Sequence, residues 1–161
     1  PTDFGYWEPI NLKSIENKGV EALIKYSFST NRKSKITSSL FYAFTDSKNK
    51  SFSTGNDELK DKQTVYVPKH KATLFLSYSY KKLSFSYSQL YNSRVFIDAS
   101  NSAYLPHYFP ANAGVDYLID FKQIKLKLGL KVINLYNEQY HVTANRPIPG
   151  RNYSVTLKLN F

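Results

Sequence analysis

The chain contains no cysteine, and its sequence holds no long hydrophobic run. Without thiols, neither a disulfide framework nor a thiolate metal centre can form, although this absence does not select a cellular compartment. No apolar segment approaches the roughly 18 residues that a transmembrane helix requires. If the chain crosses a membrane, it must therefore cross as β-strands, whose apolar residues alternate with polar ones.

Aromatic and basic residues are abundant instead. The 161 residues include 14 Tyr and 11 Phe, and the formal net charge is +10. Mean hydropathy is −0.45, although 42% of the residues are hydrophobic. A basic balance can indicate nucleic-acid binding, but the aromatic residues lie on predicted strand faces opposite the lysines. We therefore expect no nucleic-acid partner and assign the lysines to wet strand faces and turns.

The C-terminal stretch, residues 152–161, shows the clearest pattern in the chain. Apolar and polar residues alternate there with a strict period of two, which predicts a β-strand with one apolar and one wet face. The polar face carries Ser, Thr, Lys and Asn. The apolar face consists of Tyr153, Val155, Leu157, Leu159 and Phe161.

Six earlier segments alternate in the same way and bring the predicted strands to about seven. They are residues 19–29, 35–45, 71–80, 83–91, 111–119 and 124–132. Short polar turns and longer loops alternate along the chain. The turns are predicted at 30–34, 81–82 and 120–123, and the loops at 46–66, 98–107 and 137–150. Residues 1–16 lack clean alternation and are predicted as loop, with the end of a preceding strand as the alternative. The sequence thus predicts an antiparallel up-and-down sheet with its short connections at one end.

Residues 131–152 carry a more specific signal. Asn134-Leu135-Tyr136-Asn137 is followed by Tyr140, by the turn Arg146-Pro147-Ile148-Pro149-Gly150-Arg151 and by the last strand. This order resembles the end of a TonB-dependent outer-membrane receptor. Residues 17–21 resemble the start of a strand in the same family, and the Pro-x-His element at 68–70 is similar to one found there.

The resemblance implies an all-β fold, a transmembrane antiparallel up-and-down β-barrel in the cell outer membrane. Residues 1–161 would supply about seven C-terminal strands of a 22-stranded barrel, because seven strands cannot close alone. The plug domain and the N-terminal strands would belong to a longer parent chain. The last strand, ending on Phe161, would be the signal read by the barrel-assembly machinery.

The implied function is active transport. Receptors of this kind bind a scarce nutrient, such as vitamin B12, a ferric siderophore or haem, at extracellular loops and import it with energy from the TonB system. The expected partners are the TonB system, acting through the missing N-terminal part, the barrel-assembly machinery, outer-membrane lipid, lipopolysaccharide and a small-molecule ligand. Basic residues would attract lipopolysaccharide phosphates or an anionic ligand. No cofactor is expected.

Ligand contacts are expected in the outer loops. Aromatic rings and an arginine suit a bulky or anionic chelate through stacking and charge. Interfacial aromatic belts and loop salt bridges are the alternative roles for the same residue types. The candidates are Trp7, Tyr104, His107, Tyr140, His141 and Arg146.

Metal binding and catalysis find little support. The three histidines, His70, His107 and His141, are too far apart in sequence to show metal-ligand spacing. The spacing of the acidic residues within 46–61 does not match that of a calcium-binding loop. No nucleophile, base and orienting group occur together, so an enzyme is not expected.

Two other classes of protein share parts of the pattern. A self-contained eight-stranded outer-membrane barrel with a structural or adhesive role fits the length, with residues 6–12 as the eighth strand, but Pro9 disfavours that strand. A soluble lipid-carrying barrel would need its apolar face inside. The Ser, Thr, Lys and Asn of the polar face fit a wet lumen better.

Overall fold

A computed structural model describes residues 14–30, 33–50, 59–121 and 124–160. The described chain is built from β-strands, and none of its helical segments is long and apolar enough to cross a membrane. In chain order the strands are β1 (Ile15–Thr30), β2 (Ser34–Asn49), β3 (His70–Tyr80), β4 (Leu83–Asn92), β5 (Val95–Phe96), β6 (Tyr104–Leu105), β7 (Ala111–Phe121), β8 (Ile124–Ile133), β9 (His141–Thr143), β10 (Arg146–Pro147) and β11 (Asn152–Asn160).

The long strands form one seven-stranded sheet in the order β1-β2-β3-β4-β7-β8-β11, and every neighbouring pair is antiparallel. This is the predicted up-and-down arrangement with the predicted number of strands. Within the described ranges β1 pairs only with β2, and β11 pairs only with β8. The sheet is therefore open, as expected for a sector of a larger barrel wall.

The register carries the alternating apolar residues of the strands onto a single face. Val20 lies opposite Phe44, and across the sheet Val115 lies opposite Leu130, which lies opposite Val155. A slip of one residue at any pair would turn a whole strand over, because side chains alternate with a period of two. The seven strands therefore share one continuous apolar face.

Most of that face is exposed within the chain itself. The exposed fractions of Tyr153 and Val155 are 73% and 71%, whereas only four apolar residues of the described ranges are buried, namely Ala43, Val95, Tyr108 and Ala111. An apolar surface of this extent marks a face that contacts protein or lipid rather than water. The sheet cannot be explained as the wall of a small soluble core.

The opposite face is mainly polar, although Leu23 and Phe41 also lie on it, and side-chain contacts link its strands. Lys127 Nζ lies 3.1 Å from Asp116 Oδ2, and Asn112 Nδ2 donates to Ser88 Oγ at 3.2 Å. At Gly129 an added Cβ would approach Asp116 Oδ1 to 2.7 Å. Glycine at that position leaves room for the carboxylate beside the neighbouring strand.

The connections divide by length between the two ends of the sheet. Residues 31–33, 81–82 and 122–123 join strands at one end, and residues 50–69, 93–110 and 134–151 join them at the other. This alternation of turns and loops confirms the sequence prediction. We call the two ends the turn end and the loop end.

The predicted loops contain more strand than expected, and four of them need correction. β2 continues through residues predicted as loop and ends at Asn49, while β1 begins at Ile15 inside another predicted loop. The predicted loops 98–107 and 137–150 contain strands of the hairpins β5–β6 and β9–β10. Backbone pairing explains the extension of β2, since Asn49 N donates to Lys62 O at 3.0 Å without any need for apolar alternation.

Candidate functional site

The connections at the loop end are tied to one another in a second layer, which we call the loop tier. Lys48 pairs with Gln63 as an isolated bridge, and Tyr66 N donates to Phe96 O at 2.9 Å. β6, the second strand of the β5–β6 hairpin, contacts β9. Residues 59–69 and the two short hairpins thus continue the wall beyond the seven-stranded sheet.

The loop tier is fastened by the side chain of Asn101. Its Oδ1 accepts from Gln63 N at 2.7 Å, and its Nδ2 donates to Gln63 O at 2.9 Å. Gln63 is itself buried. The Asn101 side-chain amide therefore joins the 98–103 turn to the loop between β2 and β3. It makes the same pair of hydrogen bonds to Gln63 that a neighbouring backbone would make.

The same turn is closed by Asp98. Partial burial opposes its ionisation, but hydroxyl bonds from Ser100 and Ser102 and the backbone N–H groups of Ala103 and Ser102 hold the pKa of its carboxyl well below the usual range. The Ala103 N–H bond is 2.9 Å long. Asp98 is thus an ionised turn-former rather than a free ligand group.

Asn134, the first residue of the Asn-Leu-Tyr-Asn element, ends β8 in a left-handed turn with φ of 56°. It is almost completely buried. Its Nδ2 donates to Glu138 O and its Oδ1 accepts from Glu138 N, both at 2.9 Å. The Glu138 carboxylate then accepts from Phe109 N at 3.1 Å, so this turn is connected to the chain before β7.

Asn137, the last residue of the element, connects it with the Pro-Gly-Arg turn. It also has a positive φ, 54°, and its Oδ1 accepts from Arg151 N at 2.9 Å. An added Cβ on Gly150 would lie 2.9 Å from that same oxygen. The two sequence features that carried the family resemblance therefore form one structural unit at the start of β11.

The candidate Tyr140 stacks on Tyr108, with ring centroids 4.6 Å apart and planes at 21°. Tyr108 is buried, and its hydroxyl accepts from Asn92 Nδ2 at 2.9 Å. Burial raises the pKa of the Tyr140 hydroxyl, and the Glu138 charge raises it further. Both phenols are neutral near pH 7, so they offer rings and hydroxyl groups rather than charge.

The candidates Tyr104 and His107 lie next to other aromatic groups. The Arg94 guanidinium lies over the Tyr104 ring, 5.4 Å from its centroid, and also over Phe96 at 5.6 Å. His107 stacks on Phe109 with centroids 6.3 Å apart. Tyr104 remains half exposed, so one side of its ring is open to a partner.

The candidates His141 and Arg146 belong to the β9–β10 hairpin, where His141 pairs with Pro147 and Arg146 with Thr143. Both residues are exposed. Five candidates thus lie in the loop tier or beside it, and Trp7 lies outside the described residues, as does Phe161 of the predicted assembly signal. Their role as ligand contacts stays a prediction.

One cavity in the loop tier was not expected from the sequence. Its volume is about 400 Å³, and the charged residues of its lining are mainly basic. None of the five predicted ligand contacts that the structure describes lines it. Charged or titratable residues of the lining are Lys48, Asp61, Lys62, Lys69, His70 and Arg94.

Metal ligands are dispersed over the described ranges. No group of three or more His, Asp or Glu side chains lies within reach of one ion there. The acidic residues near the cavity form ion pairs with lysines. Asp46 pairs with Lys48 at 3.0 Å, and Asp61 pairs with Lys50. Asp57 and Glu58, the other acids considered for calcium, lie outside the described residues.

Comparison with protein families decides the class of the sheet. The sequence profile described as "TonB dependent receptor-like, beta-barrel" matches residues 1–135. The chain belongs to the TonB-dependent receptor family. Receptors of this family are outer-membrane β-barrels, so the apolar face is the lipid-facing side and the polar face lines the lumen. The family consists of transport receptors rather than enzymes.

Solved structures share the fold at low sequence identity. The chain is 24% identical to the siderophore receptor PiuA from Acinetobacter baumannii, with a TM-score of 0.66 over 91% of this chain and 22% of that one. BauA, the ferric preacinetobactin receptor from A. baumannii, gives 15% identity, a TM-score of 0.67 and coverage of 94% and 28%.

A third receptor extends the comparison. The ferric citrate transporter FecA in its unliganded form gives 16% identity, a TM-score of 0.64 and coverage of 88% and 28%. The chain thus spans about a quarter of the length of these receptors. A comparison with curated proteins found no match.

Proposed function

We propose that this chain forms a wall sector and outer rim of a receptor that binds a scarce nutrient and imports it with energy from the TonB system. The nutrient is a ferric siderophore, haem or vitamin B12. The observation that carries the proposal is the loop tier, which presents aromatic and cationic groups at the loop end of a TonB-family barrel wall. The turn end would face the periplasm.

Chelates of this kind are large and are often anionic, which suits the groups that the tier offers. Tyr104 has an open ring side next to Arg94, and Arg146 is exposed on the neighbouring hairpin. Aromatic rings contribute stacking area, and guanidinium groups recognise carboxylate or catecholate oxygens through paired N–H groups. PiuA is a siderophore receptor and BauA is the ferric preacinetobactin receptor, and this likeness favours a ferric siderophore over the other two ligand classes.

An uptake assay tests the proposal in the full-length receptor. Cells carrying the receptor are offered a labelled ferric siderophore, haem or cobalamin, with and without an intact TonB system. We expect Tyr104→Ala and Arg146→Ala to raise the ligand concentration for half-maximal uptake by about 5- to 30-fold, the usual effect of losing a central contact. Tyr80→Ala, at the turn end, serves as the matched aromatic control.

Two results would overturn this proposal. Uptake that continues at the same rate without TonB would remove the energy coupling. Equal effects of Tyr104→Ala and Tyr80→Ala would show that the loop tier does not contact the ligand.

The mass of the intact polypeptide distinguishes a large receptor from a small structural barrel. We expect detergent-extracted outer membranes to contain a denatured polypeptide several times heavier than the 18.6 kDa of residues 1–161. A mass near 18.6 kDa would leave a small structural or adhesive barrel, or a piece that assembles with another chain.

Assembly of the barrel is proposed to use β11 as the segment recognised by the barrel-assembly machinery. Its apolar residues Tyr153, Val155, Leu157 and Leu159 are all at least half exposed on one face. We expect Phe161→Ala to reduce the amount of receptor in the outer membrane without changing its synthesis. Unchanged amounts in the membrane would remove this role.

A further inference from the structure

Buried side chains gather at the loop end and come from all three connections there. Gln63 lies in the first connection (residues 50–69), Ser93, Val95 and Tyr108 lie in the second (93–110), and Asn134 lies in the third (134–151). The residues of β11, by contrast, are exposed along the whole strand. The loop tier therefore has a small core of its own, to which each connection contributes.

The first and second connections are joined by paired hydrogen bonds at two places. Where the first connection enters β3, Ser93 N donates to His70 O at 2.9 Å, and His70 N donates in return to Ser93 Oγ at 3.0 Å. At the 98–103 turn, the side-chain amide of Asn101 makes its two bonds to the backbone of Gln63. Separation of the two connections would leave buried polar groups of Ser93 and Gln63 without these partners, which is costly away from water.

The second and third connections meet around Tyr108. The Tyr108 backbone exchanges two hydrogen bonds with Asn92 at the end of β4, at 2.9 and 3.1 Å, and its buried ring stacks on Tyr140. The neighbouring Phe109 N donates to the Glu138 carboxylate. Withdrawal of the third connection would expose the Tyr108 ring and leave Phe109 N without this acceptor.

The second connection is braced between these two contacts. Val95 lies opposite Leu105 in the β5–β6 hairpin, and Ile97 N donates to Ala103 O at 3.1 Å. The Asp98 carboxylate closes the turn that carries Asn101. A hydrogen-bonded hairpin, rather than a single unpaired segment, thus joins the contact with the first connection to the contact with the third.

We propose that the three connections of the loop tier open as one cooperative unit rather than as separate loops. Because the contacts are shared, the opening of any one connection removes partners from another, which is the condition for a cooperative unit of local unfolding. The proposed ligand contacts Tyr104 and Arg146, in the second and third connections, are thereby held at a fixed separation. A rim that is preorganised in this way loses little freedom when it binds a ligand.

Hydrogen exchange of the full-length receptor in detergent, resolved by peptide, tests the proposal. Asn101→Gly removes the two side-chain bonds between the first and second connections but tolerates the φ of 60° at this position. Amides of all three connections should exchange faster by about 5- to 30-fold, and the three factors should agree within about twofold. The decisive peptide contains Glu138, whose amide is bonded to Asn134 and not to Asn101.

Asn145→Gly is the matched control for this substitution. Asn145 also has a φ of 60°, and its side chain makes no hydrogen bond with the residues that the structure describes. The control should leave exchange in the first and second connections within about twofold of the unaltered receptor. Peptides of β3 and β4 at the turn end should be unchanged in both variants.

Asn134→Gly supplies the reciprocal test and covers the case in which Asn101→Gly fails to assemble. It breaks the turn of the third connection, and exchange at Tyr66 in the first connection should rise by the same factor as at Phe109. A rise confined to the altered connection and its direct neighbour, an equal rise at the turn end, or an Asn145→Gly effect as large as that of Asn101→Gly would each overturn the proposal. No nutrient enters the experiment, so its result is separate from that of the uptake assay.

Discussion

At the residue scale, asparagine side chains set the shape of the loop tier. Asn101, Asn134, Asn137 and Asn145 all have φ between 54° and 60°. Asparagine enters this left-handed region more readily than other residues that carry a Cβ. Three of these asparagines also bond a backbone N–H elsewhere in the chain. The turns are thereby fixed without an apolar core.

Replacement of Asn134 tests this role. Asn134→Ala removes two hydrogen bonds and places alanine, which enters the left-handed region less readily than asparagine, at a φ of 56°. We therefore expect the turn to lose about 3 kcal/mol. Asn134→Gly removes the same bonds but tolerates the positive φ, and it should lose about 2 kcal/mol. Hydrogen exchange at the Phe109 amide, which depends on Glu138, measures both. Equal effects of the two changes would show that strain is irrelevant.

The contact between Gly150 and Asn137 is open to a double-mutant cycle. Gly150→Ala should push the Asn137 oxygen away from Arg151 N and cost about 1 kcal/mol, the value of one hydrogen bond. In an Asn137→Ala background the oxygen is absent, so the same change should cost much less. Thermal unfolding of the receptor, followed by gel mobility, supplies the energies. Additive costs would contradict the contact.

The Asp98 turn should respond to acid. Because the folded-state pKa lies below the ordinary value of 3.8, the carboxylate stabilises the turn above that pH, and the contribution is lost as pH falls through the folded value. We expect the Ala103 amide to exchange faster in Asp98→Asn than in the unaltered receptor at pH 7. The difference should shrink below pH 4. A difference that grows in acid would contradict the assignment.

At the scale of elements, alternation fixes which side of each strand meets lipid. Leu157 pairs with Leu128 on the apolar face, while the adjacent Thr156 pairs with Gly129 on the lumen face. The two positions are at the same depth and differ only in direction. A comparison of the two positions therefore isolates the effect of the sheet face on which a side chain lies from the effect of its depth in the membrane.

A lysine substituted at each of these positions tests which face of the sheet meets lipid. Leu157→Lys places a charge toward the hydrocarbon and should destabilise the barrel by about 2–4 kcal/mol, whereas Thr156→Lys should change little in a wet lumen. The folded fraction in the outer membrane, measured by heat-dependent gel mobility, reports both. A larger loss from Thr156→Lys would reverse the assignment of the two faces.

Sequence alone predicted the long strands because each carries a period-two signal and ends at a recognisable turn. Lys81-Lys82 was predicted as the two-residue connection that the structure shows between β3 and β4. The hairpins β5–β6 and β9–β10 were missed, since strands of two or three residues are too short to show alternation. The end of β2 was missed because Ser47, Lys48 and Asn49 are all polar.

The cavity could not be predicted for a different reason. Lys48, Lys62 and Arg94 are far apart in the chain, and their proximity depends on the bridge from Lys48 to Gln63 and the bond from Tyr66 to Phe96. The net charge of +10 indicated an anionic partner but not where the basic residues meet. By contrast, the Asn-Leu-Tyr-Asn and Pro-Gly-Arg features were visible in sequence, although their mutual contact was not.

At the scale of the whole molecule, the open sheet needs neighbours on both edges. β1 has sixteen paired residues on its β2 side, and its other edge is unpaired within the described ranges. Unpaired backbone groups cannot remain in hydrocarbon, because nothing there can accept or donate a hydrogen bond. The wall sector is therefore complete only when further strands of a barrel close it.

The orientation of this sector in the outer membrane is the central claim, and thiol labelling in intact cells tests it most directly. The chain contains no cysteine, so Asn145→Cys at the loop end and Lys82→Cys at the turn end each add a single thiol. A bulky impermeant maleimide should label the Asn145→Cys receptor in intact cells and the Lys82→Cys receptor only after the outer membrane is opened. Labelling of Lys82→Cys in intact cells, with Asn145→Cys protected, would contradict this account.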